Sequence, residues 1–154
     1  LVVPGALVGP GEQLDDEKKH FFNGTLYRAA MSTLKGNEEF EIFGNMNAVR
    51  DLSLVDNVAN EIINILVSVK FGIIDLMPDF RITVGQLYES IDASIINLDK
   101  GMFRETEFKA QTKKAIGAAV RKNLVGANVL SDSEFNEVIM KTYKYYIKSL
   151  NYEK

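Results

Sequence analysis

Along the stretch from Ser53 to Val69, the apolar residues Leu54, Val55, Val58, Ala59, Ile62, Ile63, Leu66 and Val69 recur every three or four positions. That spacing predicts a long helix with a single apolar face. It ends near Gly72, where "IIDLMPDFRI" carries Pro78 through an apolar segment. The β-branched residues there suit a strand over Lys70 to Met77, but with no partner strand in view the pattern is assigned to a loop along the core. Thr83 and Gln86 have capping-box spacing, and Val84, Leu87, Tyr88, Ile91, Ile95 and Leu98 mark the face of the helix that follows. A second helix is predicted over Glu105 to Lys122, with Phe108, Thr112, Ala115, Ile116, Ala119 and Val120 inward. A last one opens at Ser131 or Ser133 with Glu134 as box partner and buries Phe135, Val138, Ile139, Thr142, Tyr146 and Leu150.

The earlier part of the chain is less regular. Phe21, Phe22, Leu26, Tyr27, Ala30 and Leu34 have helical spacing within Leu14 to Leu34, with Asn23-Gly24 offering a later start at Thr25. "GNEEFEIFGNMNAV" is punctuated by glycine and reads as a turn with one or two helical turns. Residues 1–13 hold two prolines and three glycines among large apolar side chains, a pattern that supports neither a helix nor a membrane span. The expectation is therefore an all-α fold: a single helical bundle of four to six helices over residues 14–154, preceded by an extended N-terminal arm. The arm has the look of a processed N-terminus, and its Val2, Val3, Leu7 and Val8 are candidates to anchor the protein on a neighbour.

Composition narrows the chemistry. With 154 residues, 46% hydrophobic and 25% charged, the chain fits one globular domain. A net charge of −3 gives no basic field for nucleic acid. The absence of cysteine removes disulfides, thiol nucleophiles and cysteine-ligated metals. His20 is the sole histidine, too few for a paired-imidazole metal site, and reads as a solvated helix residue. The acidic groups Asp15, Asp16, Glu17 and Glu38, Glu39, Glu41 lack calcium-loop spacing. Gly9-Pro10-Gly11 has no Lys-Ser/Thr after it, and no nucleophile elbow is present. Asn23-Gly24-Thr25 is a formal glycosylation triplet. Tyr143 and Tyr145, among the lysines of the last helix, either border the core with wet hydroxyls or form a docking face. No catalytic residue stands out, so a non-enzymatic role is expected, with no nucleic-acid partner and no segment integral to a membrane.

From Ala48 to Leu150 the chain resembles one half-domain of the peridinin–chlorophyll antenna proteins of dinoflagellates. The likeness rests on "SID" before an apolar helix, on "KKAIG" and on "VLSDSEFNEV", with "VKF" and Pro78 upstream. Thr112 and Lys113 stand where that family has a histidine pair, and Phe71 and Phe135 where it has tryptophan. The resemblance implies a helical subunit of a photosystem or light-harvesting complex, docked through its N-terminal arm and last helix. It implies a chloroplast thylakoid location, lumenal or peripheral, with a secreted protein as the alternative. A carrier of an apolar ligand is the second reading, with chlorophyll, carotenoid or lipid as the cargo.

Overall fold

The computed structural model describes residues 1–12, 20–36, 45–68, 71–99, 124–125 and 131–152. Four helices and six strands occur among them, so the fold is α/β rather than all-α. Strands β1 (Val2–Val3), β4 (Ile74–Leu76) and β6 (Leu124–Val125) form a wholly parallel sheet with β4 in the middle. Strands β2 (Ala6–Val8), β3 (Val49–Leu54) and β5 (Phe80–Thr83) form a mixed sheet, in which β3 runs parallel to β2 and antiparallel to β5. The helices are α1 (Phe21–Leu34), α2 (Val55–Val67), α3 (Val84–Asp99) and α4 (Asp132–Tyr152).

Each departure from the helical expectation has a local cause. The long apolar repeat after Ser53 begins inside a strand: Leu52 and Ser53 are buried and Leu54 half-buried at the end of β3, and the chain turns helical at Val55. "IIDL", assigned to a loop, contains β4, which finds partners in β1 and β6, far away along the chain. In β5, Phe80 and Ile82 face the core while Arg81 is exposed, a two-residue period. The helix expected over Glu105 to Lys122 lies outside the described residues.

Where capping chemistry was legible, the structure shows it. Thr83 accepts the Gln86 N–H at 3.1 Å and donates its own N–H to Gln86 Oε1 at 2.9 Å. Ser131 donates its N–H to Glu134 Oε2 at 2.7 Å, and Glu134 returns its N–H to Ser131 Oγ at 3.4 Å. These bonds to Ser131 hold the Glu134 carboxyl below its ordinary range. Helix α2 is capped from a distance: buried Asp79 accepts the Leu54 N–H at 2.6 Å and the Asn57 amide at 2.7 Å.

The main core joins Phe22, Leu26, Ala29 and Ala30 of α1 to Leu87, Ile91 and Ile95 of α3 and to Phe135, Ile139, Tyr143, Tyr146 and Leu150 of α4. Val8, Leu52 and Phe80 of the mixed sheet close it. A separate small core lies under the parallel sheet, where Val58 and Ile65 of α2 meet Leu76, Val2 and Ile74.

Candidate functional site

Strand β2 delivers the chain to Gly9 and Gly11, whose φ values of +139° and +105° suit glycine alone. A Cβ on Gly9 would also lie 3.1 Å from Val55 Cγ1, so the turn runs hard against the start of α2. Glu12 follows, and its Oε1 meets His20 Nδ1 at 2.7 Å and accepts the His20 N–H at 3.2 Å. His20 is the residue before α1, its side chain largely exposed, and its carbonyl accepts the Gly24 N–H at 2.7 Å. No acidic residue stands in the first turn of α1 and no side chain of His20 caps it. The amides of Phe21, Phe22 and Asn23 lack intrahelical acceptors by helix geometry, and the positive end of the helix dipole is concentrated there.

Arg50 on β3 reaches the same end of α1. Its Cζ lies 5.9 Å from the centre of the Phe21 ring, and its Nη1 donates to the Val49 carbonyl at 3.1 Å. The next residue, Asp51, belongs to the opposite face of the strand and is engaged by Arg81, with Nε 2.7 Å and Nη2 3.1 Å from its two oxygens. That pair raises the Arg81 pKa further. Arg50 has no carboxylate partner among the described residues. A half-buried guanidinium stands beside a helix start whose other charged neighbour is the Glu12 carboxylate, and its planar fork is of the shape that pairs with phosphate oxygens. Phe21, which supports it, is fixed edge-on against Tyr88 of α3 at 6.1 Å.

Sequence reasoning overlooked this corner, because Arg50 falls between the glycine-punctuated segment and the helix predicted from Ser53, and a lone histidine such as His20 reads as a solvated helix residue. The residues it did single out lie elsewhere. Val8 and Tyr143 are buried in the main core, where the Tyr143 hydroxyl donates to Thr33 Oγ1 at 2.9 Å. Tyr145 packs its ring 5.3 Å from that of Tyr146 at the core margin. Val2 and Val3 are half-buried in β1, and Leu7 is exposed. Asn23, of the glycosylation triplet, is buried within α1 and so is closed to an attached glycan. Among the described residues there is no metal-binding cluster of acidic and imidazole groups, and no helix is long and apolar enough to cross a membrane.

No family model and no curated sequence matches the chain. Solved structures do. A GDP-L-fucose synthetase from Naegleria fowleri bound to NADP superposes with a TM-score of 0.63 at 18% identity, over 99% of this chain and 46% of that one. A UDP-N-acetylglucosamine 4-epimerase from Methanobrevibacter ruminantium M1, in complex with UDP-N-acetylmuramic acid, gives 0.61 at 16% over 96% and 46%. A UDP-glucose 4-epimerase with UDP-glucose from Thermotoga maritima gives 0.54 at 19% over 97% and 46%. The chain thus shares the α/β fold of sugar-nucleotide enzymes and spans just under half of their length.

These findings overturn the antenna-protein resemblance. The likeness at "SID", "KKAIG" and "VLSDSEFNEV" reflects helix starts and packing patterns that any helical segment uses. With it go the non-enzymatic photosynthetic subunit and the apolar-ligand carrier, which rested on that resemblance, whereas the solved structures that share this fold are enzymes holding NADP or a sugar nucleotide. Chlorophyll and carotenoid lose their basis as ligands, and the thylakoid location and its secreted alternative lose theirs.

Proposed function

We propose that this chain is the sugar-nucleotide-recognising part of an NAD(P)-dependent epimerase or dehydratase type of enzyme. The observation that carries the reading is the superposition of nearly the whole chain on the same fraction of several sugar-nucleotide enzymes. Arg50 and the start of α1 add the chemistry: a diphosphate is a charged part of every such substrate, and this corner offers it a guanidinium near the positive end of a helix.

The nicotinamide cofactor does not fit these residues. A dinucleotide-binding turn needs Gly-x-Gly-x-x-Gly between a strand and a helix. The eleven glycines of this chain never take that spacing, the nearest group being Gly5, Gly9 and Gly11. In the proposed enzyme the hydride chemistry therefore rests on residues other than these 154.

Isothermal titration tests the reading with UDP-glucose, UDP-N-acetylglucosamine and GDP-linked sugars, with free glucose as control. Binding of one or more nucleotide sugars is expected, weakened about tenfold or more by Arg50→Ala, because a charge-assisted contact to phosphate is lost. No binding by any of them, or binding indifferent to Arg50→Ala, would refute it.

A further inference from the structure

Arg50 and Leu52 stand two residues apart in β3 and therefore share one face of it. Leu52 is buried in the main core and Arg50 is half-buried, so the core face of the strand ends at this guanidinium. A long side chain at such a margin loses much rotamer freedom when a ligand holds it. Two contacts limit that freedom beforehand. Nη1 donates to the Val49 carbonyl at 3.1 Å, and Cζ lies over the Phe21 ring, 5.9 Å from its centre. The N–H donors of a guanidinium lie in its plane, so a ring against the face leaves the edge open to an acceptor.

The ring is itself held by a small core. Tyr88, buried on α3, meets Phe21 with the two rings at 88°, and buried Val84 packs beside it with Met46 and Ala48. The segment that carries Met46 and Ala48 is tied to the start of α3 by two backbone bonds. Val84 donates its N–H to the Ala48 carbonyl at 3.0 Å, and Gly85 donates to the Met46 carbonyl at 2.9 Å. A Cβ on Gly85 would lie 3.4 Å from that Met46 oxygen, so the two segments are in close contact. Phe21 thus presents a fixed aromatic face at the start of α1, not a side chain free to turn in solvent.

We infer that Phe21 is a positioning residue for Arg50: its ring, braced by Tyr88, fixes the plane of the guanidinium through a cation–π contact and leaves the edge turned to a diphosphate. The inference rests on the proposed function, which supplies the diphosphate. The nearby carboxylates are engaged elsewhere, Asp51 by Arg81 and Glu12 by His20. A carboxylate on Arg50 would compete with phosphate for the same edge, whereas a ring keeps the face while the edge binds. Holding the fork in its binding orientation lowers the ordering cost of each contact it makes, which is how a residue that never touches the ligand raises affinity.

An NMR titration with inorganic pyrophosphate and with UDP-glucose, read at the amides of Phe21 and Phe22, tests this. Replacement of Phe21 by pentafluorophenylalanine keeps the shape of the ring and withdraws the electron density from its face. The Kd for both ligands should rise about two- to fivefold, the range of a partly exposed cation–π contact, and Phe21→Leu should raise it at least as much. In the Arg50→Ala background the same replacements should change nothing. A disturbed Tyr88 contact would instead weaken binding in both backgrounds and lower the melting temperature, so the background separates positioning from packing. A Kd indifferent to the ring, an equal change with and without Arg50, or no response to pyrophosphate would overturn the inference. Pyrophosphate binding that depends on Phe21, with no binding of nucleotide sugars, would refute the proposed substrate and leave the role of Phe21 standing. Binding of UDP-glucose that depends on Arg50 and ignores the ring would refute that role alone.

Discussion

Asp79 sits 25 residues after Leu54 in the chain and ends up beneath the first turn of α2, with both carboxylate oxygens occupied by donors of that helix start. Replacing it by alanine removes two charge-assisted bonds and strands a backbone N–H and an amide. A loss of about 2 to 3 kcal/mol is expected from denaturant midpoints. Asp79→Asn should recover only part of this, because its NH2 group faces a donor. Nothing about Asp79 in the sequence marks it as a cap, since capping patterns are local and this one closes through the mixed sheet. Two tyrosines on α4 give a matched pair. Tyr143 donates to Thr33, so Tyr143→Phe should cost about 1 kcal/mol. The Tyr146 hydroxyl is buried without a hydrogen-bond partner among the described residues, and burial foremost, then the nearby Glu12, Tyr145 and Tyr27, raise its pKa far above the ordinary phenol. Tyr146→Phe should therefore be neutral or mildly stabilising, and a loss comparable to that of Tyr143→Phe would contradict this account.

At the scale of elements, the helices were readable because their signals are local: the stripes of α3 and α4 and both capping boxes follow from residues within a few positions of one another. The strands were not. Each is six residues or shorter, too brief for a period to declare itself, and each is held by a partner from another part of the chain. Leu54 and Val55 join the end of β3 to the start of α2 without a break, so an apolar count runs straight across the boundary. The candidate site shared this fate, since Arg50 acquires meaning only when β3 brings it to α1. Helix α4 provides a pH prediction. The Glu134 carboxyl is held below its ordinary value by Ser131, so the capping box contributes its stability above the unfolded glutamate pKa, near 4.5, and loses it as pH falls through the lower folded value. The melting temperature of wild type should fall more steeply over that acid range than that of Ser131→Ala, and parallel curves would show the box to be inert.

For the molecule as a whole, the first eight residues decide how the two sheets are joined. β1 belongs to the parallel sheet and β2 to the mixed one, and only Pro4 and Gly5 separate them. A Cβ on Gly5 would lie 2.8 Å from the Asp51 carbonyl oxygen and 2.9 Å from Ser53 Oγ, the latter also accepting the Gly5 N–H at 3.0 Å. Gly5→Ala must thus push β2 away from β3, where the backbone has no room to give. Val8, 1% exposed, closes the main core beside Leu52 and Phe80, while Val2 packs with Val58, Ile65 and Leu76. An arm outside the folded domain, as the prolines and glycines of residues 1–13 suggested, could be removed with almost no change in the melt. Strands built into both sheets cannot. Burial of Val8 alone is worth about 1.5 to 3 kcal/mol, and the parallel ladders of β1 and β2 are lost with it, a large share of the 5 to 15 kcal/mol that holds a domain of this size. Deletion of residues 1–8 should therefore lower the melting temperature by well over 10 °C or abolish the cooperative transition, read by circular dichroism, and Gly5→Ala should move it in the same direction by less. A truncated protein that melts within a degree or two of wild type would show that neither strand is part of the stable fold.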